Sequence, residues 1–217
     1  MSDSERALTI PVQHLELPAL LGLPAPATGI VLFAHGSGSG RFSPRNNYVA
    51  RILQEAGLAT VLIDLLTETE AGDRRLVFDI DLLADRLERV TLWLGEREET
   101  RGLPVGYFGA STGGGAALVA AARLPGTVRA VVSRGGRPDL AAVSLPLETA
   151  PTLLIVGGND EPVIALHRQA LAQMRCERQL IIVPGATHLF EEPGALERVA
   201  ELARDWFMRH LAVQRPA

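Results

Sequence analysis

Leu103-Pro104-Val105-Gly106-Tyr107-Phe108-Gly109-Ala110-Ser111-Thr112-Gly113-Gly114-Gly115-Ala116-Ala117-Leu118-Val119-Ala120-Ala121-Ala122 decides the fold. A strand-like run enters Gly109-Ala110-Ser111-Thr112-Gly113 and leaves as an alanine-rich helical run, the strand–turn–helix setting of a nucleophile elbow. A serine on so sharp a turn needs small neighbours, because its backbone is strained and packed against the next strand and helix; Gly109 and Gly113 supply that room. Ser111 is expected to project its hydroxyl above the sheet. The helix that follows would aim free N–H groups, that of Thr112 among them, and the positive end of its dipole at a developing oxyanion.

Glycine-rich strand-to-helix turns also bind phosphates, so two rivals need testing. A P-loop requires G-x-x-x-x-G-K-[ST], and this chain has no lysine: all 21 basic residues are arginine. The same fact removes lysine Schiff-base chemistry. A dinucleotide fingerprint requires G-x-G-x-x-G at the first strand-to-helix turn, whereas Gly113, Gly114 and Gly115 are consecutive and mid-chain.

Around the elbow, apolar runs alternate with helical patterns. Gly29–Ala34 precedes a helix over Asn47–Ala56, and Ala59–Ile63 precedes one over Phe78–Leu94. Val128–Ser133, Thr152–Val156 and Gln179–Val183 follow the elbow, with helices over Val163–Met174 and Ala195–Leu211. Strands apolar throughout are buried on both faces, and alternation with helices makes the sheet parallel. The expected architecture is a three-layer α/β sandwich with a mostly parallel sheet of about seven or eight strands and helices on both faces. Leu8–Leu17 alternates more and is expected at an edge, alone or as a hairpin with Ala19–Leu23. The charged segment Leu66–Leu76 gives no firm expectation.

The whole chain reads as one domain of 217 residues. Its net charge of −4 and pI near 5.8 give no basic field for nucleic acid or an acidic membrane. No apolar run approaches the roughly 20 residues needed to span a bilayer, and the N-terminus is polar, so a cytoplasmic location is expected. A single cysteine, Cys176, precludes an intrachain disulfide and reads as a small buried hydrophobe.

In an open α/β sheet the ligand site lies beyond the carboxyl ends of the strands. A serine there needs a base, and the base needs a carboxylate to fix its tautomer. Of five histidines, His14 in the N-terminal strand, His167 and His210 read as surface or packing residues. His188 follows the last strand through Gly185-Ala186 and is the better base; His35 opens the turn His35-Gly36-Ser37-Gly38 and reads as structural. Asp160 follows a strand and precedes His188, giving the order Ser, Asp, His, although an Asp at this place also caps a helix. Asp64 and Asp139 are substitutes for the acid. The second oxyanion donor is assigned to the N–H of Ser37.

These residues together resemble the α/β-hydrolase superfamily and, within it, small lid-less enzymes of the dienelactone hydrolase type. The likeness rests on His35-Gly36-Ser37-Gly38-Ser39, Gly109–Gly113, Gly157–Val163 and Gly185–Phe190, and covers nearly the whole chain. It implies an α/β-hydrolase fold without a cap domain, with Ser111 as nucleophile, Asp160 as acid and His188 as base. Dienelactone hydrolases proper carry cysteine where this chain has Ser111, which favours a serine esterase-like reaction.

Little room for a cap between Arg134 and Leu153 suggests an open mouth and a small ester, lactone or thioester as substrate, with no metal or organic cofactor. Arg41, Arg45, Arg134 and Arg137 follow strand ends and are candidates to hold an acidic group on that substrate; the competing reading pairs them with Asp64, Asp139 or surface carboxylates. An acyltransferase on the same residues and a non-catalytic binding module are the alternative functions. The oligomeric state is not legible in the sequence.

Overall fold

The computed structural model describes residues 5–211 of the chain. Its strands are β1 (Glu5–Val12), β2 (Leu15–Gly22), β3 (Ile30–Ala34), β4 (Ala59–Ile63), β5 (Val105–Ala110), β6 (Val128–Arg134), β7 (Thr152–Gly157) and β8 (Arg178–Val183). They form one eight-stranded sheet in the order β1-β2-β4-β3-β5-β6-β7-β8. Pairing is antiparallel for β1 with β2 and β2 with β4, and parallel from β4 to β8. This is an α/β-hydrolase-like fold.

The apolar strands sort by alternate residues. In β3, Ile30, Leu32 and Ala34 join the core layer beneath α4 (Ile80–Glu96) and α5 (Thr112–Arg123), while Val31 and Phe33 join the opposite layer beneath α1 (Pro44–Glu55) and α7 (Ala195–His210). All five are buried. Their period of two, repeated on a sheet covered on both faces, explains the continuous apolar runs of the inner strands, whereas edge strand β8, expected to be buried on both faces, is buried only at Val183. Burying each of Ile30, Val31, Leu32 and Phe33 contributes about 1.5–3 kcal/mol.

Several boundaries differ from the sequence expectation. The hairpin turns within Leu8–Leu17, at Gln13 and His14, with Gln13 at φ 55°; His14 therefore lies in a turn rather than a strand. The first helix begins at Pro44 instead of Asn47, because Ser43 caps it by accepting from the N–H of Asn46 and proline occupies its first turn. The helix expected from Phe78 begins at Ile80 because Asp79 caps the N–H of Leu82. Before it, the charged segment forms two one-turn helices, α2 (Glu68–Ala71) and α3 (Arg74–Val77). The helix expected from Val163 is α6 (Glu161–Gln173). Between β6 and β7 only two short 3-10 turns intervene, Pro138–Ala141 and Leu145–Leu147, so no cap domain stands there.

Chain order sets where a ligand can enter. After β3 the chain adds β4 on one side and then crosses to place β5 on the other. The crossover directions diverge between β3 and β5, and a crevice forms beyond their carboxyl ends. The residues leaving those two strands are His35–Gly40 and Ser111–Thr112.

Candidate active site

At the end of β5, Ser111 adopts φ 51° and ψ −123°, far from the regions open to an L-residue. Close packing on both sides holds it there. A Cβ on Gly113 would stand 2.0 Å from the carbonyl oxygen of Ala34, and one on Gly109 would stand 2.5 Å from that of Gly113. Gly36 faces the serine itself, since a Cβ there would lie 2.7 Å from Ser111 Cβ and 3.4 Å from Oγ. The Ser111 carbonyl accepts from the N–H groups of Gly114 and Arg137, both at 3.0 Å. Helix α5 starts at Thr112, so the unpaired N–H groups of its first turn converge beside Ser111.

Asp160 occupies the N-cap position of α6, yet its side chain makes no capping bond. Instead its Oδ2 accepts from His188 Nδ1 at 2.7 Å, with Asp160 mostly buried and His188 part-exposed. The two loops that carry this pair are tied together: Asn159 donates from its backbone N–H to Ala186 at 2.9 Å and from its side chain to Gly185 at 2.9 Å. Only glycine fits at 157, where a Cβ would come within 2.4 Å of the Ala186 carbonyl oxygen. With the Nδ1 proton directed at Asp160, the Nε2 lone pair of neutral His188 is available. The segment Gly135–Arg137 lies against both His188 and Ser111: Gly135 abuts the imidazole and Arg137 bonds the serine carbonyl.

The turn after β3 is gripped by Asp64, at the carboxyl end of β4. Its Oδ1 accepts from the N–H of Arg41 at 2.6 Å and lies 3.4 Å from His35 Nε2, and its Oδ2 pairs with the Arg41 guanidinium. Burial alone would raise the Asp64 carboxyl, but the hydrogen bonds from His35 and Arg41 outweigh it and hold the group below its usual range. His35 Nδ1 bonds the Gly36 carbonyl at 3.0 Å. One carboxylate thus fastens both ends of the turn that carries Ser37.

Ser37, Gly36 and Thr112 open onto a cavity of about 500 Å³ that runs under α2 and α3. The wall formed by those helices is clamped from α4. Buried Arg86 donates Nη1 to the Leu65 carbonyl and to Glu70 Oε2, and Nη2 to Glu70 Oε1, each at 2.7 Å. Glu70 also closes a capping box with Thr67. The Arg86 hydrogen bonds hold the Glu70 carboxyl at about 2, so the clamp stays ionised across ordinary pH. Sequence reasoning missed Glu70 and Arg86, although Thr67-Glu68-Thr69-Glu70 carries the T-x-x-E signature.

The four candidate arginines separate. Arg41 lines the cavity but pairs with Asp64, Arg45 Nη1 donates to Glu191 at 3.1 Å, and Arg137 forks onto Asp139 at 2.8 and 2.7 Å. Arg134 is different. It is buried, its guanidinium lies 5.7 Å from the Phe190 ring centroid, its Nη2 donates to Asn46 Oδ1 at 3.5 Å, and no described carboxylate pairs with it. Burial and the neighbouring Arg45 charge lower it to about 10.

His167 is fully buried in α6 with Nδ1 bonded to the Val163 carbonyl at 2.8 Å, and His210 packs on Trp206. Cys176 is half-buried, and burial pushes its thiol up, away from the thiolate that reactivity requires. Among the described residues no helix is long and apolar enough to cross a membrane.

Residues 20–213, which include Ser111, Asp160 and His188, match the dienelactone hydrolase family. The chain belongs to the dienelactone hydrolase family. A dienelactone hydrolase of Anabaena variabilis ATCC 29413 is 61% identical, with a TM-score of 0.93 over 95% of this chain and 98% of that one. Est1E from Butyrivibrio proteoclasticus shares the fold at 17% identity, with a TM-score of 0.82 over 95% of this chain and 99% of its own. Two Mycobacterium tuberculosis proteins named putative phosphoribosyl transferase are 61% identical over 197 residues, or 91% of this chain. This chain spans 44% of the length of those relatives.

Proposed function

We propose that this member of the dienelactone hydrolase family is a serine hydrolase of small carboxylic esters or lactones. The observation that carries the reading is the 2.7 Å bond between His188 Nδ1 and Asp160, made by an aspartate that leaves its helix cap unfilled, beside a serine strained onto an elbow. In the reaction Ser111 Oγ attacks the carbonyl carbon as His188 Nε2 takes its proton. Asp160 holds the imidazole in the correct tautomer and favours the imidazolium that forms. The N–H groups of Ser37 and Thr112 receive the oxyanion, an interaction worth about 10²- to 10³-fold in rate per donor. On collapse His188 returns the proton to the leaving alcohol oxygen. Water, deprotonated by His188, then attacks the acyl-serine and releases the acid. This sequence requires no cofactor.

With Arg41, Arg45 and Arg137 each paired to a carboxylate, Arg134, buried and without a described carboxylate partner, is the candidate among the four to attract an acidic group on the substrate. Arg134→Ala then lowers the preference for esters carrying a carboxylate; an unchanged preference removes it from the site. The phosphoribosyl transfer in the mycobacterial relatives' name is named for proteins of which this chain spans 44%, whereas ester cleavage accounts for the elbow. Hydrolysis of p-nitrophenyl esters by wild type and Ser111→Ala tests the reading. Turnover abolished in the variant supports it, and turnover retained there excludes it.

A further inference from the structure

We infer that the cavity beneath α2 and α3 receives the acyl part of the substrate, and that it selects an uncharged, apolar acyl group longer than acetyl. The inference rests on the ester-hydrolase reading and adds the substrate class to it. Three observations carry it. First, the cavity lies next to the nucleophile: Gly36 and Thr112 line it, a Cβ on Gly36 would stand 3.4 Å from Ser111 Oγ, and Thr112 follows the serine. A carbonyl seated between the Ser37 and Thr112 N–H groups therefore has its acyl carbons at the cavity mouth.

Second, its accessible lining is more apolar than polar. Leu65, Leu66, Ala71, Val77 and Leu83 line it, and its volume of about 500 Å³ falls within the range of small-molecule pockets, about 300–1,000 Å³. An acetyl group leaves most of that surface wet, whereas a longer chain or an aryl group covers it. The wall is fixed in place rather than a loose loop, because Arg86 holds Glu70 by two parallel bonds and the Leu65 carbonyl by another. Ordering it adds little cost to binding.

Third, the charge along the lining opposes an anion. Glu16, Asp64 and Glu68 line the cavity, and the one lining arginine, Arg41, is spent on Asp64. A carboxylate on the acyl group would lose water and meet like charge.

The test compares p-nitrophenyl acetate, octanoate and an octanoate analogue ending in a carboxylate, with Ala71→Trp placed to fill the cavity from an exposed position on α2. Wild type prefers octanoate over both others. Ala71→Trp lowers the octanoate-to-acetate ratio of kcat/KM by about tenfold or more, the scale of discrimination a hydrophobic pocket offers. Leu92→Trp, at an exposed site on α4, keeps the wild-type ratio. In parallel, octanamide is titrated into Ser111→Ala, with and without Ala71→Trp, so that occupancy is read without turnover. Octanamide bound by Ser111→Ala and weakened by the added tryptophan supports the cavity assignment even if no ester is hydrolysed, in which case the hydrolase reading alone fails. An unchanged chain-length ratio in folded Ala71→Trp, a preference for the anionic ester, or no octanamide binding overturns the assignment.

Discussion

Two histidine–aspartate pairs flank Ser111, and they are built for different work. His188 gives one ring nitrogen to Asp160 at 2.7 Å and leaves the other without a described partner. His35 uses Nδ1 on the Gly36 carbonyl and turns Nε2 toward Asp64 at 3.4 Å, while that aspartate is already engaged by Arg41. Both histidines follow strand ends, so position along the chain does not separate them. What separates them is the remaining nitrogen. An imidazole can take a proton from serine only if one nitrogen is fixed by a free acid and the other reaches the hydroxyl, whereas the buried Nε2 of His35 faces Asp64, an acid that Arg41 already engages. The pair that lacks these becomes a fastener for the oxyanion turn.

Removing each pair in turn should expose that division. His188→Ala is expected to cost at least about 10³-fold in kcat, since it removes the base, whereas His35→Ala should retain far more activity. Steady-state ester hydrolysis by both variants measures this, and equal losses would erase the distinction. Asp160→Asn follows, with a loss of about 10²- to 10⁴-fold, because the amide no longer fixes the productive tautomer. Asp64→Asn is expected to be milder, about 10- to 100-fold in kcat with KM little changed. It loosens the turn that presents Ser37 rather than the proton path, and one misplaced oxyanion donor sets the upper limit. A boronic acid inhibitor should weaken in step with kcat in that variant, and a KM effect alone would point to substrate binding instead.

Much of this site is written locally in the sequence. Gly109 and Gly113 mark the elbow because no larger residue fits against Ala34 and Gly113 backbone oxygens. The order Ser111, Asp160, His188 follows from strands whose apolar runs are continuous. The parts that sequence reading left open depend on long-range side-chain direction. Arg45 meets Glu191, and Arg86 meets Glu70; neither partner is visible until the helices pack. The hairpin turn at Gln13 adopts a positive φ without glycine or asparagine, so the usual turn signal is missing. The wall was readable in part, since Thr67 and Glu70 spell a capping box, but its role in lining a cavity required the fold.

A pH control keeps the comparison clean. Glu148 lies among buried residues before β7, with Oε1 accepting from the Ala150 N–H at 2.7 Å, and burial pushes its carboxyl up to about 7 from 4.5. Between those values the folded chain keeps a proton that the unfolded chain has lost, so stability falls as pH rises, by about 3 kcal/mol in total. Glu148→Gln should flatten this slope and stabilise the protein at pH 8, as read by denaturant unfolding at pH 5 and 8. A slope shared by wild type and variant would place the titration elsewhere. The variant then reports the pH dependence of the two histidine pairs without concurrent loss of fold.

The most direct test of the central claim is the rate at which a fluorophosphonate labels wild type, His188→Ala and His35→Ala, with the adduct located by mass spectrometry. A single adduct on Ser111, formed fast in wild type and His35→Ala and slowly in His188→Ala, is the predicted result. Labelling at another residue, or loss of labelling in His35→Ala with retention in His188→Ala, would contradict it.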